Sequence, residues 1–272
     1  MNNFHFSTVG CFEDCPYKFK LRYLENLETI PSDDPTNPLI LGTAIHKAME
    51  TDLKTAIKEY YASYNIITTE HENEVIKMEY WIPKLKSLIP EGLHEVNFKN
   101  DVYEGTADLL VPVKPIERME NVFDLYDFKY SNNIEHYMDS RQLHVYKYFL
   151  ERIKGIYIKR MYFVFVPKVR IRQKGTESIE QFRTRLYQEL SQKEIKIKEV
   201  LFDESKVFDF YESTMRIGLT KSFDKMISYY CDWCEYKDYC RKDLDYMLLP
   251  KAERRDVRKT QKRKLWIYGG CI

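Results

Sequence analysis

Neither a long apolar run nor an excess of one charge is present in this chain. No stretch approaches the ~18 consecutive apolar residues of a membrane-spanning helix. The 43 Lys and Arg are balanced by 42 Asp and Glu among 272 residues. The first absence excludes a transmembrane helix. The second removes any global pull toward nucleic acid or acidic surfaces, so a charge argument has to be local. Internal repeats and a G-x-x-x-x-G-K-[ST] stretch are also missing, which leaves no case for an NTP-driven motor. The opening MNNFHFSTVGCFEDCPYKF has neither the basic start nor the apolar segment of a secretory signal, and the expectation is a cytosolic protein.

What is present is 44% apolar residues, ample for a sizeable core in one large domain or two small ones. There are six cysteines. In a reducing compartment they are not expected to form three structural disulfides, and a tight cluster reads as a metal site.

Ser7 is an N-cap candidate for a short first helix, followed by the loop IPSDDPTNP at 30–38. From Leu41 to about Leu88 apolar residues recur at helical spacing, through Ile45, Met49, Leu53 and Ile57, then Ile76, Tyr80 and Leu85. The character then changes. HEVNFKN at 94–100, VYEGTADLLVPV at 102–113 and VFDLYDFKYS at 122–131 are short, β-branched or aromatic and bounded by turn residues, so they read as three strands of a meander. A helix at 139–153, a strand at 156–167, a helix at 177–193, a strand near 195–202 and a helix near 204–217 complete an α/β core.

Within VFDLYDFKYS, side chains two apart share a strand face, so Asp127 and Lys129 project together while Phe128 points away. Pairing this strand with GTAD at 105–108 can bring Asp108 beside Asp127. Two adjacent carboxylates repel unless a cation lies between them, and a hard divalent ion such as Mg²⁺ or Mn²⁺ takes such oxygen ligands. With a lysine alongside, this is chemistry for metal-assisted hydrolysis of a phosphodiester. By itself D-x-K on a strand is usually a surface ion pair. LGTAIHKAME adds His46 on a helix, and RQLHVYKYFL places Gln142 and Tyr146 four apart on one helical face. Glu95, on the first strand, could be a further acid near the site, although a glutamate at a sheet edge is ordinarily solvated.

The order GTAIH at 42–46, GTAD at 105–108, DFK at 127–129 and QLHVY at 142–146 resembles the RecB-type branch of the PD-(D/E)xK nucleases. The resemblance implies a restriction-endonuclease-like α/β fold, a central mixed sheet flanked by helices, with residues 93–218 as nuclease core and 41–92 as a helical elaboration of a single domain over 1–272. It implies His46, Asp108, Asp127 and the Phe128 carbonyl as metal ligands, Lys129 as the catalytic lysine beside the attacked phosphate, and Gln142 and Tyr146 as supporting groups in contact with substrate. Asp at 127 is closer to the helicase-nuclease members than to the CRISPR ones, where Glu is commoner.

The segment YYCDWCEYKDYC supplies Cys231, Cys234 and Cys240 as C-x2-C-x5-C. A tetrahedral site needs a fourth ligand. STVGCFEDCPYKFKLRY is similar to the opening of the iron-sulfur subset of the same nuclease branch, found in AddB-type subunits and CRISPR adaptation nucleases, in which a Cys followed by Pro is the first ligand. Cys15 matches that position, which implies a [4Fe-4S] cluster on Cys15, Cys231, Cys234 and Cys240. Four thiolates ligate zinc as well, so ligand number leaves the two open. A link from residue 15 to 231–240 closes a loop of more than 200 residues, worth about 5 kcal/mol in the chain-entropy picture. Cys11 and Cys271 read as free thiols.

The tail KAERRDVRKTQKRK at 251–264, in the basic region 250–272, carries eight basic and two acidic residues. It suits a phosphate backbone, as it suits a solvated terminus. Trp266 and Tyr268 follow it and could stack on bases or dock the tail. The expectation is therefore a metal-dependent DNA nuclease, exonucleolytic or end-processing, acting on linear or single-stranded DNA. One alternative is a nuclease subunit working with a helicase, recombination or integrase partner in repair or CRISPR adaptation. The other is a non-catalytic DNA-binding module that keeps the fold.

Overall fold

The computed structural model describes residues 3–29, 33–115 and 120–241. In chain order its elements are α1 (Phe6–Asp14), α2 (Pro16–Phe19), a π-helical turn (Lys20–Leu24), α3 (Pro38–Glu50), α4 (Leu53–Ala62), α5 (Thr69–Leu88), β1 (Leu93–Lys99), β2 (Glu104–Pro112) and β3 (Val122–Tyr130). There follow α6 (Ile134–Met138), α7 (Gln142–Lys154), β4 (Tyr157–Val166), α8 (Ile179–Ser191), β5 (Lys196–Val200), α9 (Ser205–Leu219), a 3-10 turn (Tyr229–Trp233) and α10 (Lys237–Cys240). The described residues fall into two compact units, one of residues 33–209 with Asn3, the other of residues 4–29 and 210–241.

The first unit is built on a mixed sheet in the order β1-β2-β3-β4-β5. β1, β2 and β3 form the antiparallel meander expected from their turn residues. β3 and β4 run parallel, joined through α7, and β5 returns antiparallel. Leu109, Val111, Tyr126, Phe128, Val164 and Val166 bury one sheet face against α3, α4, α5 and α8, with Trp81, Ile82 and Leu85 filling the space between. The helical stretch 41–88 is three helices because two caps interrupt it. Asp52 accepts the N–H of Thr55 at 2.9 Å and starts α4, and Thr68 with His71 forms a reciprocal box that starts α5. Helix 139–153 likewise begins later, at Gln142, because the separate short α6 ends at Met138 with Asp139 as its C-cap, and Ser140 accepts the Gln142 N–H at 3.2 Å.

In the second unit α1 is capped at His5, not Ser7, which lies one residue inside the first turn. No side chain caps this helix, and the backbone carbonyl of His5 takes the N–H groups of Thr8 and Val9. Segments some 200 positions apart close on each other here. Phe19 stacks on Phe223 with ring centroids 6.0 Å apart. Tyr17 donates its N–H to the Asp224 carbonyl at 3.2 Å, and the Tyr236 hydroxyl donates to the Leu27 carbonyl at 2.6 Å. The basic tail, Trp266, Tyr268 and Cys271 lie outside the described residues.

Candidate active site

The glycine of GTAD has a steric reason. Gly105 pairs with Phe98 across β1 and β2, and a Cβ there would come within 2.7 Å of the Phe98 ring and 2.9 Å of Tyr103. Those rings with Tyr146 and Phe149 form an aromatic cluster under the strand.

Four residues on, the β2–β3 ladder stops at the pair Leu109 and Tyr126. Phe128 therefore has backbone groups that β2 does not take. The Asp108 carboxylate accepts its N–H at 2.7 Å, and His46 Nε2 lies 2.9 Å from its carbonyl. A carbonyl only accepts, so Nε2 carries a hydrogen and a neutral ring turns the lone pair of Nδ1 toward Asp108 Oδ1, 3.5 Å away, and Glu95 Oε1, 4.0 Å away. His46, Glu95 and Asp108 each place a ligand atom within 4.8 Å of the others, the one such group among the described residues. Three facing lone pairs repel unless a proton or a cation lies between them.

Glu95 holds its place at a backbone cost. It occupies the β1 position opposite Asp108 but has φ +49°, in the left-handed region disfavoured for side-chain-bearing residues. Burial pushes its carboxyl above the ordinary value, with Glu50 adding to the shift and His46 opposing it. Burial and then the Asp127 charge push Asp108 up to about 7.

Asp127 and Lys129 share the face expected from strand alternation, Oδ2 to Nζ 2.6 Å. Asp127 is 1% exposed, and this ammonium is its charge partner. Burial works against the Lys129 charge, but Asp127 and Asp108 outweigh it and hold its pKa above the ordinary value. Lys129 also donates to Gln142 Oε1 at 2.9 Å, and Gln142 donates to the Tyr146 hydroxyl at 3.3 Å. Burial keeps that phenol protonated. The rings of Tyr137 and Phe163 stand 5.3 and 5.6 Å from the ammonium, and nothing in the local sequence signalled them.

His46, Asp108, Asp127, Lys129, Gln142 and Tyr146 are thus linked by contacts around the Phe128 peptide at the end of β3. Asp127 turns to Lys129 instead of joining the group of His46, Glu95 and Asp108, and the Phe128 carbonyl is engaged by His46. The donor set, one imidazole and several carboxylates, is that of a hard divalent cation.

In the other unit Cys15, Cys231, Cys234 and Cys240 are half-buried unpaired thiols. They lie close enough that Cys15, Cys234 and Cys231 all raise the pKa of Cys240, after burial, to about 11. No three of these described thiols lie within 4.8 Å of one another. The thiol of Cys15 accepts the Met226 N–H at 3.5 Å, and that of Cys231 accepts the Ser228 N–H at 3.4 Å. Cys11 stands apart, 6% exposed, its thiol pushed up to about 11 by burial.

Residues 4–241 match the family described as the PD-(D/E)XK nuclease superfamily. Among solved structures, a "putative exonuclease" from Eubacterium rectale superposes with a TM-score of 0.56 at 12% identity, over 90% of this chain and 92% of that one. At that identity the likeness concerns the fold. The search of curated proteins found no match. Among the described residues no helix is long and apolar enough to cross a membrane.

Proposed function

This chain belongs to the PD-(D/E)XK nuclease superfamily, and we propose on that basis that it is a metal-dependent deoxyribonuclease, trimming linear or single-stranded DNA from its ends. The observation that carries the reading is the convergence on one peptide unit. Phe128 is gripped by Asp108 at its N–H and by His46 at its carbonyl, between Asp127 and Lys129.

Asp108, Asp127 and His46 would hold Mg²⁺ or Mn²⁺, with Glu95 as a third acid and the Phe128 carbonyl offering its remaining lone pair. A bound cation would neutralise the clustered carboxylates, polarise the phosphoryl oxygen and ease deprotonation of water. The rest is done by the chain. Lys129 donates to Gln142 and stands 2.6 Å from Asp127 as its ion-pair partner, and its ammonium would meet a water or a phosphate oxygen on which negative charge develops. Tyr146 orients Gln142, and Gln142 orients Lys129, so the cation is held in place before substrate arrives. Gly42 lies one turn before His46 on the same helix face, and a Cβ there would meet nothing within 4 Å. That space suits close approach of a substrate backbone.

For the second unit the reading is a [4Fe-4S] cluster on Cys15, Cys231, Cys234 and Cys240, as in AddB-type and CRISPR adaptation nucleases. Four thiolates suit either metal centre, so the choice between zinc and iron-sulfur is left to the spectrum of the purified protein.

The test uses anaerobically purified protein with end-labelled linear and closed-circular DNA, single- and double-stranded, plus Mg²⁺ or Mn²⁺. Degradation of linear DNA, sparing of circles, and loss of about 10²-fold or more in rate in Asp127→Ala and Lys129→Ala is the expected outcome. No cleavage of any substrate by cluster-replete protein would sink the reading.

A further inference from the structure

Beyond the motifs, β4 ends in a segment that the functional reading has not used. Residues 167–175, PKVRIRQKG, carry four basic and no acidic residues in nine. β4 runs parallel to β3, with Lys129 beside Phe165 and Tyr130 beside Val166. The segment therefore leaves the sheet at the same end as the candidate site, one strand over.

It is held rather than loose. Ser131 donates its N–H to the Val166 carbonyl at 3.1 Å. Asn132 clamps Lys168 from both sides, donating to its carbonyl at 2.9 Å and accepting its N–H at 2.8 Å. Further along, the Arg185 guanidinium donates to the Arg172 carbonyl at 2.9 Å while Glu177 binds it at 2.7 and 2.8 Å. Residues alternate in between. Val169 and Ile171 pack into the core below the sheet, while Arg170, Arg172 and Lys174 stand exposed. Among the described residues neither Arg170 nor Arg172 has an acidic partner in ion-pair range.

Side chains two apart on an extended chain are ~6.8 Å apart, comparable to the separation of successive phosphates along one strand. Arg170 and Arg172, neighbouring cations with no acidic partner, repel each other, and Lys174 beside Glu177 extends the row; a polyanion relieves that repulsion. We propose that Arg170, Arg172 and Lys174 form a strap that holds the phosphodiester backbone of a single DNA strand and leads it to the site at the end of β3. The inference rests on the nuclease reading and adds where the substrate lies.

Binding of a fluorescent single-stranded oligonucleotide is measured in chelator, so that no cleavage occurs, across a range of salt concentrations. Wild type is compared with Arg170→Ala/Arg172→Ala/Lys174→Ala, and with a charge-matched control, Lys54→Ala/Lys58→Ala/Lys154→Ala, at exposed sites elsewhere. Loss of three single-strand phosphate contacts is expected to lower affinity at least about tenfold at ~0.1 M salt and to reduce the slope of log K against log salt by about 2. The control keeps the wild-type slope, and Arg170→Lys/Arg172→Lys restores it. Wild-type affinity and slope in the triple variant, while wild type still degrades DNA, overturn the strap and leave the nuclease reading standing. A wild type that neither binds nor cuts DNA overturns both.

Discussion

The two ligand-bearing regions of the molecule solve the same problem by different means. Each gathers side chains from distant positions, His46 with Asp108 in one and Cys15 with Cys240 in the other. In the nuclease site the positions are set by a sheet. Strand register opposes Glu95 to Asp108, strand alternation puts Lys129 over Asp127, and the end of the β2–β3 ladder frees the Phe128 peptide for Asp108 and His46. In the cysteine region Cys231 and Cys240 sit on short helical turns and Cys15 and Cys234 beside such turns, with the Met226 and Ser228 N–H groups on Cys15 and Cys231. A sheet positions donors whether or not a cation is present, whereas short turns depend on what the donors bind. The first region should therefore lose chemistry without its metal, and the second should lose structure.

The sharpest break in that contrast would come from Cys15. If the four thiols carry the proposed cluster, Cys15→Ala is expected to remove its visible absorbance and to destabilise the protein by about 5 kcal/mol, seen as a fall in melting temperature and in soluble yield. Cys11→Ala, at a buried thiol outside the group, should keep the chromophore. Full thermal stability of a metal-free Cys15→Ala protein would refute the structural role.

On the nuclease side, pH should act through the cation. A proton on Asp108, whose carboxyl is pushed up to about 7, competes with Mn²⁺, so affinity should fall by up to about tenfold per pH unit below 7. The sign for stability is opposite. Because the folded-state pKa lies above the unfolded value of about 4, the metal-free fold is favoured as pH drops through 7, and the effect ends near pH 4. Calorimetric titration with Mn²⁺ and melting curves in chelator between pH 5 and 8 check both directions, and a pH-independent affinity would remove Asp108 from the ligand set.

The smallest effect should be at Glu95. Glu95→Gly relieves a left-handed backbone and should raise metal-free stability by about 1 kcal/mol, while weakening Mn²⁺ binding at least about tenfold if the carboxylate is a ligand. A destabilised variant with unchanged Mn²⁺ affinity would make Glu95 a packing residue.

Element types were legible in the sequence because helix and strand periodicities are properties of neighbours. The meander was readable from its turn residues, and the sharing of a face by Asp127 and Lys129 from alternation alone. Caps were less so. Ser7 looked like a helix cap, yet the helix begins at Phe6 with His5 as its cap, where a backbone carbonyl suffices. Glu95 was ambiguous for the same reason that makes it interesting. A strand glutamate is ordinarily solvated, and only its opposition to Asp108 across β1 and β2, with a left-handed φ, turns it toward His46.

By itself the sequence determined the residues available for chemistry and the order in which they occur, since side-chain type and local period are written in consecutive positions. Tertiary structure alone decided that Asp108 and His46 share the Phe128 peptide and that Tyr137 and Phe163 flank Lys129. These depend on where a ladder ends and which helix crosses it, and such contacts between distant segments leave no mark on the local pattern of either.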